Sequence, residues 1–389
     1  MSLHSLPNEI LDSLPLYIDN IESFINTAST CRRLRDALYR AHPNIILQLA
    51  AASAPTFFSP HPYFLIAATA REASDWALQD EARSREFRTA IQWGIDGLYD
   101  FCLKHSGLTL DDIRRMHQAR FSIINPLADK IDKMAGQQWL DTPGFWDGGV
   151  SEPCTIDSDA DLAAFQIIIY GELFRRSMDV FLQPESADGS EPDKMPSPFF
   201  DIHTRIDYFT YCLSDAVCKD YPGFKRLDTG PYANGRTPDA GEQVAMHHIL
   251  NCGRWRRMWG SAISRLFSNE EKIVLLEDPD QEYWKNMFER VPDVGESLTI
   301  DDIDFRYQKA KLLRDALQSQ GLEGMQLVTM PLEKVDKGYV NRVRWIKEKV
   351  DRLKKLPARE KMGKHLRSVV SHAPDPSCEI EIPCRDMWP

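Results

Sequence analysis

The chain has 389 residues, of which 43% are apolar and 27% charged, and this balance excludes a wholly disordered or collagen-like protein. Its formal net charge of −11 argues against general attraction to nucleic acid or anionic membranes. The most apolar stretch, residues 162–170, is far shorter than the roughly 20 residues of a membrane span. Eight dispersed cysteines without a CxxC pair do not indicate a disulfide framework. We therefore expect a protein of the cytoplasm, the nucleus or both, without a membrane span or a nucleic-acid partner.

Residues 1–45 form the first predicted unit, a small helical module. Pro15 predicts that a short first helix ends and that the chain then turns. Asp19 and Glu22 have the spacing of a capping box, which predicts a second helix with an apolar stripe continuing to Leu38. A module of this size cannot bury enough apolar surface by itself, so it must pack on the rest of the chain or on a partner.

The order of motifs in this module resembles the F-box, the helical motif by which substrate receptors dock onto the Skp-type adaptor of cullin ubiquitin ligases. The resemblance covers residues 4–40 and rests on Leu-Pro-Asn-Glu-Ile-Leu at 6–11, a hydrophobic turn at 14–18 and Cys-Arg-Arg-Leu at 31–34. The long, repeat-free helical remainder is similar to filamentous-fungal F-box-type proteins. The adaptor-binding positions that the resemblance implies are Leu6, Pro7, Glu9, Ile10, Leu11, Leu14, Ile18, Cys31 and Leu34.

The resemblance implies a substrate receptor that acts by binding and not by catalysis, and that needs no cofactor. Its partners would be the Skp-type adaptor, the cullin ubiquitin ligase and an unknown substrate protein. The alternative is an N-terminal helical hairpin that packs on the body, since any amphipathic hairpin needs leucine and isoleucine. Docking predicts an exposed apolar patch, whereas the alternative predicts that the same side chains point inward.

Beyond the module, helical spacing predicts an all-α chain. Prolines at 55, 60 and 62 indicate a linker over 46–62, followed by a large helical body over 63–332. The clearest helical stretch covers 63–104, and Thr109 followed by two acids predicts the start of another helix. Residues 159–181 are apolar enough to form a helix at the centre of the core.

Loop-forming residues and short alternating stretches in the rest of the chain predict loops and one minor strand pair. Stretches rich in proline, glycine and polar residues predict long loops at 184–198 and 222–241. Short alternations at 325–330 and 378–384 predict a β-hairpin near the C-terminus.

Residues 333–389 form a basic amphipathic helix and a C-terminal tail. Thirteen Lys and Arg stand against five Asp and Glu between Glu333 and Arg367. Such a helix serves partner or surface binding, or it packs on the domain with its polar face solvated or paired to acidic groups. The sequence leaves both interpretations open.

The common nucleotide-binding, hydrolase and zinc-protease signatures are missing, and we expect no metal site. The arginine- and tryptophan-rich stretch at 254–259 favours core packing, with an anion or partner surface as the second interpretation. Together with the basic helix it supplies the candidate substrate- or partner-binding residues Arg254, Trp255, Arg256, Arg257, Trp259, Lys347 and Arg352.

The rival hypothesis is a helical enzyme or ligand-binding protein with an aromatic-lined pocket. His203 and Asp207 are one helical turn apart, and His247 and His248 supply the other compact acid/base or metal-binding candidates. Most pairs of this kind are ion pairs, caps or core histidines. A pocket that brings these side chains together would favour this hypothesis.

Overall fold

The computed structural model describes residues 6–135, 159–182, 199–214, 226–236, 246–251, 253–267, 309–310 and 312–353. Within these ranges the chain is helical, and pairing of the β type is limited to an isolated bridge between Leu227 and Ala233. The predicted all-α fold class is therefore confirmed. No helix of these ranges has both the length and the apolar character that crossing a membrane requires.

The N-terminal module contains three short helices. They are α1 (Asn8–Ser13), which continues into a 3-10 turn (Leu14–Tyr17), α2 (Ile21–Thr30) and α3 (Arg32–Leu38). The prediction of one helix through Leu38 was wrong because the backbone of Cys31 is extended and separates α2 from α3. The predicted cap was also one residue early, since the side chain of Asn20, and not of Asp19, accepts a hydrogen bond from Ser23 N.

Prolines in this region begin helices, and this overturns the predicted linker. Pro43 opens α4 (Pro43–Ala52) and Pro55 lies in the first turn of α5 (Ala54–Phe57). The prediction of a linker over 46–62 was wrong because apolar side chains of this segment are buried in the main core, namely those of Ile46, Leu47, Leu49, Ala50, Ala54 and Phe58.

Five helices and a π-helical segment build the first half of the body. They are α6 (Tyr63–Ala77), α7 (Glu81–Ile91), α8 (Gly94–His105), α9 (Leu110–Ala119), the π segment (Arg120–Ile124) and α10 (Asn125–Ala135). The stretch at 63–104 is thus three helices. Thr109 caps α9 as predicted, because its hydroxyl accepts from Asp112 N while the Asp112 carboxylate accepts from Thr109 N.

The central helix α11 (Ala160–Phe181) confirms the prediction for 159–181. Its side chains are buried on every face from Ala163 to Phe174, and it packs along α6 and α10. A helix that is apolar all round is stable only when neighbours surround it. α11 therefore organises the core.

The second half of the described body adds five helices. They are α12 (Ile202–Cys212), α13 (Met246–Asn251), α14 (Gly253–Ser264), α15 (Leu322–Thr329) and α16 (Lys337–Asp351), with a further helical segment at 312–318 and a 3-10 turn at Leu332–Lys334. The strand predicted at 325–330 was wrong, because Met325, Leu327 and Val328 reach the core from one face of α15. The partner stretch at 378–384 and the loop at 184–198 lie outside the described residues. The loop at 222–241 is described at 226–236, where it forms turns.

Two glycines let α11 meet the turn before α15. A Cβ on Gly171 would lie 2.0 Å from Gly321 N, and Gly321 has φ +66°. Beside them the Glu172 carboxylate accepts hydrogen bonds from Leu322 N (2.8 Å) and Arg71 Nε (2.7 Å). Burial raises the pKa of Glu172 although both donors oppose that shift. This contact fixes α6, α11 and α15 to one another.

Candidate functional site

The N-terminal module exposes large apolar side chains around α1. Ile10 is 49% exposed, and Leu16 and Tyr17 in the following 3-10 turn are 68% and 77% exposed. These three residues, the N-terminal apolar set, fall within two short helical turns and hence within about 15 Å of one another along the chain. Their exposure is unusual because most large apolar side chains of the described ranges are buried.

Beneath this surface lies a small core of its own. Leu11 of α1 packs with Leu34 and Ala37 of α3, and these three side chains form a cluster separate from the main core. By contrast, Phe24 of α2 belongs to the main core of the body. The module is therefore anchored to the body through α2 and through Leu38 of α3, while α1 is held mainly against α3.

Polar contacts tie α1 to α3 at both ends. The Arg33 guanidinium donates to the Leu6 carbonyl oxygen (2.6 Å) and to Asn8 Oδ1 (3.1 Å). At the other end, Arg40 forms an ion pair with Asp12 at 2.7 Å. The Arg33 hydrogen bonds hold the start of α1 on α3, while the exposed Arg40–Asp12 pair adds little to this contact.

The nine positions that the F-box resemblance singles out divide into an exposed and a buried group. Pro7, Glu9 and Ile10 are exposed, while Leu6, Leu14, Ile18 and Cys31 are half-buried and Leu11 and Leu34 are buried. The buried pair shapes the module and offers no free surface. Leu16 and Tyr17 complete the exposed group, and their place in the hydrophobic turn beside Pro15 was the signal that could have identified them as surface residues.

The arginine- and tryptophan-rich stretch lies on α14. Trp255 and Trp259 are fully buried, with ring centroids 6.2 Å apart, as the core-packing interpretation predicts. Arg256 is half-buried and Arg257 exposed, whereas the side chain of Arg254 lies outside the described part. The tryptophans thus stabilise the core and do not form a surface.

The basic helix at the C-terminal end of the described chain packs as an amphipathic helix. Its apolar stripe is buried, with Tyr339, Val343, Ile346 and Val350 in the main core. Lys347 pairs with Asp351 at 2.6 Å, and Arg352 pairs with Glu348. These basic side chains are paired along their own helix, which favours the packing interpretation.

The described residues contain no group of acid/base or metal-binding side chains that would support the enzyme hypothesis. Asp207 is engaged by Arg88 at 2.5 Å, while His203 is exposed. The side chains of His247 and His248 lie outside the described part. Groups of three or more metal-binding side chains do not occur among the described residues. Two surface grooves of about 410 and 850 Å³ are lined neither by the tryptophans of α14 nor by His203 or Asp207.

Comparison with protein-family models, with curated proteins and with solved structures gives no match to this chain.

Proposed function

We propose that this chain is an F-box-type substrate receptor, which links a target protein to a Skp-type adaptor and a cullin ubiquitin ligase by binding. One observation carries the proposal: the segment with the F-box-like motifs exposes Ile10, Leu16 and Tyr17. Burying an apolar side chain of this size on a partner contributes about 1.5–3 kcal/mol. These three side chains are therefore the candidate apolar anchors of a larger interface.

The construction of the module supports docking over a simple hairpin. A hairpin that only completes the fold would turn its apolar residues toward the body, as α2 does with Ile21 and Phe24. Instead, α1 keeps a small separate cluster below and leaves the N-terminal apolar set outside. A partner that covers this set would also stabilise a module with little core of its own.

Docking at α1 would leave the helical body free to hold a substrate. The receptor then acts by raising the local concentration of substrate near the ubiquitin-conjugating enzyme and by orienting its lysines. The chemistry belongs to the ligase, so the receptor itself requires no catalytic residue. Adaptor docking through α1 and substrate binding on the body would thus use different surfaces of the molecule.

Co-expression with an affinity-tagged Skp-type adaptor tests the proposal. The intact chain is expected to co-purify with the adaptor, and Leu6→Asp and Ile10→Asp are expected to abolish co-purification. Trp93→Asp is the matched control, since Trp93 is an exposed aromatic residue on the body. Failure of the intact chain to co-purify would refute the proposed function.

A further inference from the structure

A groove runs between the N-terminal module and the body. It has a volume of about 410 Å³ and lies where α2 and α3 face α9 and the π segment. Its floor includes the buried side chains of Ala28 and Ile113. It is distinct from the N-terminal apolar set, none of whose residues lines it.

The rim of this groove is apolar and exposed. Ile25 (42% exposed), Tyr39 (45%) and Phe121 (72%) come from three separate segments and converge on the groove. Neighbouring large apolar side chains that stay exposed on a folded body are typical of an interaction site. The groove's volume of about 410 Å³ suits one or two large apolar side chains of a peptide segment.

The floor also includes His117, which packs against two buried phenylalanines. The His117 ring centroid lies 5.3 Å from that of Phe58 and 5.2 Å from that of Phe64. Burial lowers the pKa of His117, and the charge of Arg120 lowers it further. The groove floor is therefore uncharged near neutral pH, and its positive charge comes from arginines.

The groove is lined by positively charged side chains, whereas the chain as a whole has a negative net charge. Arg35 and Arg114 line it, and its described lining contains no carboxylate, although the chain carries a net charge of −11. The Arg35 side chain makes no hydrogen bond or ion pair within the described ranges. Arg114 pairs with Asp111 on its own helix at 2.6 Å, but an exposed pair of this kind contributes little and exchanges readily.

We propose that this groove binds an acidic amphipathic peptide segment of a partner protein. A large apolar side chain of the segment occupies the space between Tyr39 and Phe121, and carboxylates accept forked hydrogen bonds from Arg35 and Arg114. The inference does not rest on adaptor docking. Where the proposed function also holds, the segment belongs to the substrate.

A phage-displayed library of random dodecapeptides, selected against the full chain, tests this proposal. Enriched peptides are expected to combine a net negative charge with at least one large apolar residue. A labelled synthetic peptide of the enriched type should bind at least about tenfold more weakly to Phe121→Asp and to Arg35→Glu/Arg114→Glu. No enrichment, a basic consensus, or equal binding by these variants would overturn the proposal.

Matched controls separate this site from the adaptor site and from the other possible occupant. Trp93→Asp and Ile10→Asp should bind the peptide like the original chain, and Phe121→Asp should still co-purify with the adaptor. All variants change exposed or rim side chains, and circular dichroism verifies that each is folded. Sedimentation that shows self-association abolished by Phe121→Asp would identify a second copy of the chain as the occupant, and would overturn the proposal.

Discussion

The Arg33 guanidinium donates a hydrogen bond of 2.6 Å to the Leu6 carbonyl oxygen, across 27 residues of sequence. This contact joins two stretches that carry the F-box resemblance, the Leu-Pro stretch at 6–7 and the Cys-Arg-Arg stretch at 31–33. Arg33 also reaches Asn8 Oδ1, so the start of α1 is held on α3 by a charged donor. The motif residues are thus neighbours in space as well as in pattern.

Arg33→Ala is expected to loosen α1 without removing the apolar set. Loss of the charged hydrogen bonds should cost about 1 kcal/mol locally and speed amide exchange of residues 8–13 about fivefold. Arg32→Ala is the control, because the neighbouring Arg32 is exposed and its side chain makes no hydrogen bond or ion pair in the described ranges. Hydrogen–deuterium exchange with mass spectrometry measures both variants. Equal exchange in the two would show that the Arg33 contact does not hold α1.

Gly171→Ala is expected to destabilise the body. The added Cβ would lie 2.0 Å from Gly321 N, which is backbone and cannot rotate away. Overpacking of this kind costs about 2 kcal/mol, so the midpoint of urea unfolding should fall clearly. Arg85→Ala is the control, since Arg85 is an exposed residue of α7. A midpoint unchanged by Gly171→Ala would contradict the close contact of α11 with the turn at Gly321.

The described cysteines are expected to differ in their reaction with iodoacetamide. Burial raises the pKa of the Cys102 thiol to about 12 and raises that of Cys212 as well, so both are protonated and enclosed at neutral pH. Cys31 is half-buried in the break between α2 and α3. Pulsed alkylation followed by peptide mass spectrometry should label Cys31 before Cys102 and Cys212. Labelling of Cys102 at the same rate in the native state would contradict the packing of α8 in the core.

The pH dependence of stability should contain a contribution from His117. Burial and Arg120 lower its pKa in the folded chain, whereas the unfolded chain titrates near 6.5. Between these two values the unfolded state binds more protons, so the free energy of unfolding falls as the pH drops through this window. From about pH 7.5 to about pH 5, His117→Gln should therefore lose less stability than the original chain in urea titrations. Parallel losses in the two proteins would show that His117 titrates alike in the folded and unfolded states.

Helical periodicity in the sequence predicted helices that pack in the core, and a capping pattern predicted where α9 begins. The central helix at 159–181, the Thr109 cap and the amphipathic character of the basic helix were all predicted, because each depends on a repeat or a contact within a few residues. The break at Cys31 carries no glycine or proline that marks it, so it was missed. The strand expected at 325–330 failed because Met325 and Val328 are three residues apart, a spacing that places both on one face of a helix.

The candidate binding surfaces could not be predicted from local sequence patterns, because they depend on contacts between residues far apart in the sequence. Prolines at 55, 60 and 62 suggested a linker, yet Leu47 and Phe58 are buried by helices from distant parts of the chain. Similarly, motif spacing indicated Ile10 but could not distinguish it from the buried Leu11 beside it. The groove formed by Tyr39 and Phe121 joins residues far apart in sequence, and only the tertiary packing reveals it.

The affinity of the purified chain for a purified Skp-type adaptor, measured by isothermal titration calorimetry, tests adaptor docking most directly. The original chain should bind with one-to-one stoichiometry, and Ile10→Asp and Tyr17→Asp should each weaken binding at least about tenfold. Trp93→Asp and Phe121→Asp should bind like the original chain, because these exposed aromatic residues lie on the body. Absence of binding by the original chain, or equal affinity in all four variants, would contradict the proposed docking through α1.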